Sequence, residues 1–223
     1  MTGKSIIVAL WATAICSAAP VDAATLAIRF SEPGHKPLTE STTADSLIVN
    51  NAFGTFSSNI AVGTLSKDPL VLDLGSTNFS TATAGTMTVA YTAYGLTSLK
   101  GWRDFDVQLS GHSIYGAHPG SVSLAAYLDE SDTPFGMATP LGSSNFLDLP
   151  AYFSKTTRAY EENPFSVTEV LTIKSAGRSA FSLDASVTAV PEASTWAMML
   201  AGFGGLGITA FKRTRKSAIS VVG

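Results

Sequence analysis

Met87-Thr-Val-Ala-Tyr-Thr-Ala-Tyr94 alternates along its length, with Met87, Val89, Tyr91 and Ala93 on one side. A period of two marks an extended strand with one face turned to a core. Working outward, the same texture recurs in short runs at 25–30 (TLAIRF), 47–50 (LIVN), 60–65 (IAVGTL) and 70–74 (LVLDL). Beyond 87–94 come 105–109 (FDVQL), 122–128 (VSLAAYL), 167–174 (VTEVLTIK) and 180–187 (AFSLDASV). Gly, Ser, Asn and Pro punctuate nearly every gap, and no apolar set holds helical spacing over a dozen residues. Many short strands with turn-rich connections predict an all-β fold, an antiparallel sandwich or jelly-roll. Ser175-Ala-Gly-Arg-Ser179 has the length of a hairpin loop, with Gly177 available for a positive φ.

The alternation stops at both ends. Lys4 precedes an apolar run over 6–19, and Pro20-Val21-Asp22-Ala23-Ala24 follows. A short positive start, an apolar core and a small-residue exit make a secretory signal peptide. Val21 and Ala23 occupy the small positions, so cleavage after Ala23 removes residues 1–23 and leaves Ala24 first. The run is too short for the roughly 20 residues that a bilayer-spanning helix needs. Cys16, the chain's one cysteine, leaves with it, so the mature chain is held by its core alone. A net charge of −3 with 14% charged residues offers no basic face for nucleic acid.

At the other end, residues 193–211 carry no charge and span roughly 28 Å as a helix at about 1.5 Å per residue. A transmembrane helix is expected over about 195–211, with Trp196 at the outer interface. Lys212, Arg213, Arg215 and Lys216 form a stop-transfer cluster that stays cytoplasmic. The domain plan is therefore a signal peptide over 1–23, a β-rich ectodomain over 24–189 and a tail over 190–223. The ectodomain lies outside the cytoplasm.

Val190-Pro191-Glu192, followed by Trp196-Ala197, a glycine-rich apolar stretch and a basic end, resembles a PEP-CTERM sorting signal in its PEPxxWA form. The chain departs from that pattern at Ala193, where the family usually has a second proline. The resemblance covers roughly the last thirty residues. It implies an exported protein of a Gram-negative bacterium that passes through the inner membrane to the cell surface or extracellular matrix. It also implies an exosortase-type processing enzyme as partner, and exopolysaccharide production alongside.

Several stretches imitate active sites. Gly202-Phe-Gly204-Gly-Leu-Gly207 has the letters of a dinucleotide fingerprint, but no strand precedes it and no acid follows. Gly111-His112-Ser113-Ile-Tyr115-Gly116 approaches a nucleophile elbow but puts Tyr115 where the sharp turn demands glycine. A turn after the 105–109 strand is expected instead. His35, His112 and His118 are expected as solvated loop residues, since no thiol remains to complete a zinc site. Asp129-Glu-Ser-Asp132-Thr-Pro-Phe-Gly136 reads as turn chemistry before it reads as a calcium loop. Asp104 and Asp106, beside Trp102 and Phe105, read as solvent-facing alternate residues before they read as a glycosidase pair. No catalytic, cofactor-binding or metal-binding residue is assigned.

The leading functional reading is a noncatalytic surface or matrix protein associated with exopolysaccharide. The alternative is a carbohydrate-binding module with Trp102, Tyr91, Tyr94 and Tyr115 as stacking faces, and a secreted hydrolase stands third. The first two part on whether those aromatics line an exposed surface or fill the core.

Overall fold

The computed structural model describes residues 24–67, 69–97, 101–116 and 119–190. The signal segment, the positions following Val190 in the tail, and His118 lie outside the described residues. Twelve strands run in order: β1 (Thr25–Ser31), β2 (Leu38–Thr42), β3 (Ser46–Phe53), β4 (Phe56–Lys67), β5 (Leu70–Thr81) and β6 (Gly85–Leu96). They continue as β7 (Gly101–Gly116), β8 (Pro119–Asp129), β9 (Thr139–Phe146), β10 (Ala151–Glu161), β11 (Phe165–Ser175) and β12 (Ser179–Val190). Among the described residues, no helix is long and apolar enough to cross a membrane.

The strands form two six-stranded sheets whose pairings are antiparallel. Sheet A has the order β2-β1-β6-β11-β8-β9, and sheet B the order β10-β7-β12-β5-β4-β3. Strands β5 to β12 make one ribbon folded on itself: β5 pairs with β12, β6 with β11, β7 with β10 and β8 with β9. Rolling that ribbon brings β12 against β7 and β11 against β8, which is the jelly-roll arrangement. The β1–β2 hairpin extends sheet A beyond β6, and the β3–β4 hairpin extends sheet B beyond β5. The all-β reading holds.

The inward rows follow from the alternation. Val89 and Tyr91 on β6, Val167 and Leu171 on β11, and Leu124 on β8 are all within 1% of full burial. They meet Phe105 and Val107 of β7, Phe181 and Val187 of β12, and Leu72 of β5 in one continuous core. Apolar burial stabilises at about 25 cal/mol per Å², so these layers are the main favourable term.

The alternation breaks once in the middle of sheet B. On β5 the buried set is Leu70, Leu72 and Leu74, and then Thr77, Phe79 and Thr81. Both neighbours register the extra residue, because Leu183–Ala185 of β12 spans Thr77–Leu74 and Ile60–Val62 of β4 spans Asn78–Gly75. This β-bulge, at Gly75-Ser76, resets which side chains face outward beyond it.

The hairpin between β11 and β12 forms, but by another device. Gly177 is not in the left-handed region. Its carbonyl accepts hydrogen bonds from Ser175 Oγ at 2.6 Å and Ser179 Oγ at 3.2 Å. The two hydroxyls also lie 2.8 Å apart. Serine side chains, rather than glycine's freedom, shape this turn.

Candidate functional site

Beyond the β5 bulge, the outer face of sheet B presents one cross-strand row. Ala52 of β3 pairs with Ser57 of β4, Ser57 with Ser80 of β5, Ser80 with Ala180 of β12, and Ala180 with Tyr115 of β7. Two Phe-Ser dipeptides build its centre, since Phe56 and Phe79 are buried while Ser57 and Ser80 are partly exposed. The Ser57 and Ser80 hydroxyls lie 2.8 Å apart. A groove of about 350 Å³ opens on this row, lined also by Thr55, Thr81 and Arg178. Four inter-strand spacings of about 4.8 Å make it roughly 19 Å from end to end.

Tyr115 and Arg178 close one end. The Arg178 guanidinium lies 5.9 Å from the centroid of the Tyr115 ring, which is 49% exposed. Gly116 permits this approach. Its φ is +96°, and a side chain there would run into the Arg178 carbonyl and the Ser179 Cα. At the other end Thr55 gives its backbone N–H (2.8 Å) and its hydroxyl (2.6 Å) to the buried carboxylate of Glu32.

The other aromatics divide. Tyr91 is fully buried and reaches across the sandwich to Gly63, where a methyl group would overlap its ring. Tyr94 is half-buried on sheet A. Trp102, 56% exposed, packs edge-on against Tyr160 with centroids 5.6 Å apart, on the outer face of β7 and β10. Trp102 and Tyr115 thus sit near opposite ends of β7.

Those imitations of active sites that fall on described residues sit in strands and turns. The 111–116 stretch is not a turn: it continues β7 to Gly116, with His112 opposite Ser182 and Ser113 opposite Phe181. Ladder pairing on the β12 side holds the stretch extended, which the small and polar residues 110–113 concealed. His112 is therefore an exposed strand residue and not a loop residue, while His35 does lie in a loop, 6.2 Å from the Phe53 ring. Asp106 accepts hydrogen bonds from Gln108 and Ser154, and Asp104 lies opposite Arg158 of β10. In the 129–136 loop, Asp129 accepts from the N–H and hydroxyl of Ser131, and Asp132 from the Gly95 N–H at 2.6 Å. Those carboxylates hold the loop together. The glycine fingerprint at 202–207 falls outside the described residues. Among the described residues, no three His, Cys, Asp or Glu side chains gather as a metal site.

One polar cluster was not anticipated. Glu169 of β11 sits fully buried opposite Tyr91. Neither its carboxylate oxygens nor the Tyr91 hydroxyl has a hydrogen-bond partner among the described residues. Burial, and then the charges of Asp73 and Asp184, hold the Glu169 carboxyl well above the ordinary carboxylate range. Burial and Asp184 raise Asp73 too. The alternation of 167–174 shows Glu169 in phase with its apolar neighbours, so a polar residue on the inward row was the available signal.

No curated protein matches the chain. Among solved structures, it is similar to TmCBM61 in complex with beta-1,4-galactotriose, with 9% identity, 74% of this chain and 88% of that one covered, and a TM-score of 0.39. The enzymatically active domain of tailspike protein 4 of bacteriophage CBA120 is similar over 66% of this chain and 20% of that one, with 9% identity and a TM-score of 0.37. TmCBM27, a carbohydrate-binding module with specific mannan recognition, covers 73% of this chain with 89% of its own, with 11% identity and a TM-score of 0.28. The PEP-CTERM protein-sorting motif matches residues 189–216, beginning on the last two residues of β12. The chain is a PEP-CTERM domain-containing exported protein.

Proposed function

We propose that the protein is a noncatalytic polysaccharide-binding module of the cell surface or extracellular matrix, and that the Tyr115 groove is its binding site. The observation that carries this reading is an exposed ring set beside a row of hydroxyls in a concave site. At about 350 Å³, the groove falls within the range of small-ligand sites, about 300–1,000 Å³. The ring offers an apolar face to the C–H side of a sugar, Ser57 and Ser80 can donate to or accept from its hydroxyls, and the Thr55 hydroxyl, whose proton goes to Glu32, can accept. Among the described residues, no carboxylate, imidazole or thiol lines the groove to transfer a proton to a glycosidic oxygen.

Its position suits an anchored protein. Strand β12 begins at Ser179, beside the groove, and ends at Val190, opposite Asp104 near the Trp102 end of β7. Eleven steps of about 3.3 Å put the groove roughly 36 Å from where the chain leaves the sandwich. In this reading an exosortase-type enzyme in a Gram-negative inner membrane recognises Pro191-Glu192 and Trp196-Ala197, while Lys212, Arg213, Arg215 and Lys216 halt transfer.

Glycan-array binding of the full chain in detergent, followed by titration of the best neutral polysaccharide, tests the site. Tyr115→Ala should weaken binding about tenfold, as expected for loss of roughly 1.4 kcal/mol of ring contact. Trp102→Ala, at the far end of β7, should leave it unchanged. Equal binding by the parent and Tyr115→Ala would place the site elsewhere.

A further inference from the structure

We propose that the groove selects an acidic sugar, a uronate whose carboxylate pairs with Arg178 while its ring rests on Tyr115. This rests on the groove being a polysaccharide site and adds the chemical class of its ligand.

Arg178 is exposed, and its guanidinium lies over the Tyr115 ring. Every other group lining the groove among the described residues is neutral. A guanidinium presents a planar fork of donors that matches a carboxylate bidentately. The loop that carries it is set in advance by the Ser175 and Ser179 hydroxyls on the Gly177 carbonyl. Gly116 fixes the adjoining end of β7 against the same loop. Less ordering is therefore left to be done on binding.

The chain as a whole is acidic, so the neighbouring carboxylates decide whether an anion is tolerated. Asp184 lies four residues along β12 from Ala180, Asp73 seven along β5 from Ser80, and Asp106 nine along β7 from Tyr115. At about 3.3 Å per residue these separations are roughly 13, 23 and 30 Å. All exceed the Debye length of about 8 Å at physiological ionic strength, so solvent screens them from the groove. Glu32 lies behind Thr55, next to Phe56, which is two strand spacings from Ser179 across Thr81, so roughly 10 Å separate it from the start of β12, and its carboxylate is engaged by Thr55. The anionic group therefore belongs at the Arg178 end, with the polymer crossing the strands rather than running along them toward the aspartates.

The test uses the full chain in detergent with oligogalacturonate and with the same oligomer fully methyl-esterified, which keeps the rings and removes the charge. The parent should bind the acid form about tenfold tighter or more at 50 mM NaCl, with the preference shrinking at 500 mM. Arg178→Gln should abolish the preference, weakening the acid form about tenfold so that acid and ester bind alike. Tyr115→Ala should weaken both forms. Equal affinity of the parent for acid and ester, or a preference that survives Arg178→Gln, overturns the acidic-sugar assignment alone. Failure of the parent to bind either oligomer, with no glycan lost on Tyr115→Ala, overturns the binding-site reading together with it.

Discussion

Glu169 is the residue whose environment most opposes its chemistry. Burial between two sheets, and then the charges of Asp73 and Asp184, raise its carboxyl well above the ordinary range, and it has no hydrogen-bond partner among the described residues. The unfolded chain releases the carboxyl proton above the ordinary value of 4.5. Between that value and the raised one, the native state binds more protons than the unfolded state, so stability falls as pH rises. Glu169→Gln retains the shape and removes the titration. Its thermal midpoint should fall less between pH 5 and pH 8 than the parent's, with a smaller residual slope from Asp73, which is raised in the same direction. Each 1 kcal/mol of difference would read as about 2–4 °C for a domain of this size. Parallel curves for the two proteins would show that Glu169 is ionised in the fold.

At the scale of elements, the β11–β12 hairpin shows what local chemistry contributes. Ser175 and Ser179 are buried and share the Gly177 carbonyl. Ser175→Ala leaves that carbonyl and the Ser179 hydroxyl with one partner fewer and should cost about 1 kcal/mol, read from denaturant midpoints at unchanged slope. Ser175→Ala with Ser179→Ala should cost less than the sum of the two, because the groups share partners. The same contrast explains what was legible in the sequence. Strands such as β6 and β11 announce themselves because they are central and bury one whole row. The unanticipated strands β2, β9 and β10 are all sheet edges. Their burial is sparse, as in the half-exposed and exposed run of β2, so period two leaves little trace. The other edge strand, β3, is marked by Leu47-Ile-Val, although Ile48 is 68% exposed. The alternation covers only part of β5 and β7, because a bulge and a stretch of small polar residues interrupt it. The groove is not legible for a related reason: Tyr115 stands out as a stacking face, but Arg178, Ser57 and Ser80 meet it only through cross-strand pairing that no local pattern encodes.

At the scale of the molecule, the sandwich and the sorting tail adjoin without a linker. Val190 still pairs with Asp104 as the last residue of β12, and the next residue, Pro191, has no backbone N–H to extend a ladder. Proline also disfavours helix at the residue before it, so a helix from the tail is not expected to propagate back into β12. A membrane-embedded protease would then meet Pro191-Glu192 at the margin of a folded body. The basic cluster would keep the motif there, because moving each charge to the bilayer centre costs roughly 2.5–3.5 kcal/mol. Replacing Pro191-Glu192 with Ala-Ala should give a protein that is exported but retains its tail, whereas the parent loses it in a host with the sorting enzyme. Neutralising Lys212, Arg213, Arg215 and Lys216 should instead let the tail pass through and abolish retention. Intact-mass measurement of membrane and released fractions separates these outcomes. A parent that keeps residues 196–223 in such a host, with the Ala-Ala variant indistinguishable from it, would mean that the tail is a permanent anchor. Because processing beyond Val190 would leave β12 whole, the released body should keep the parent's glycan affinity at the distant groove.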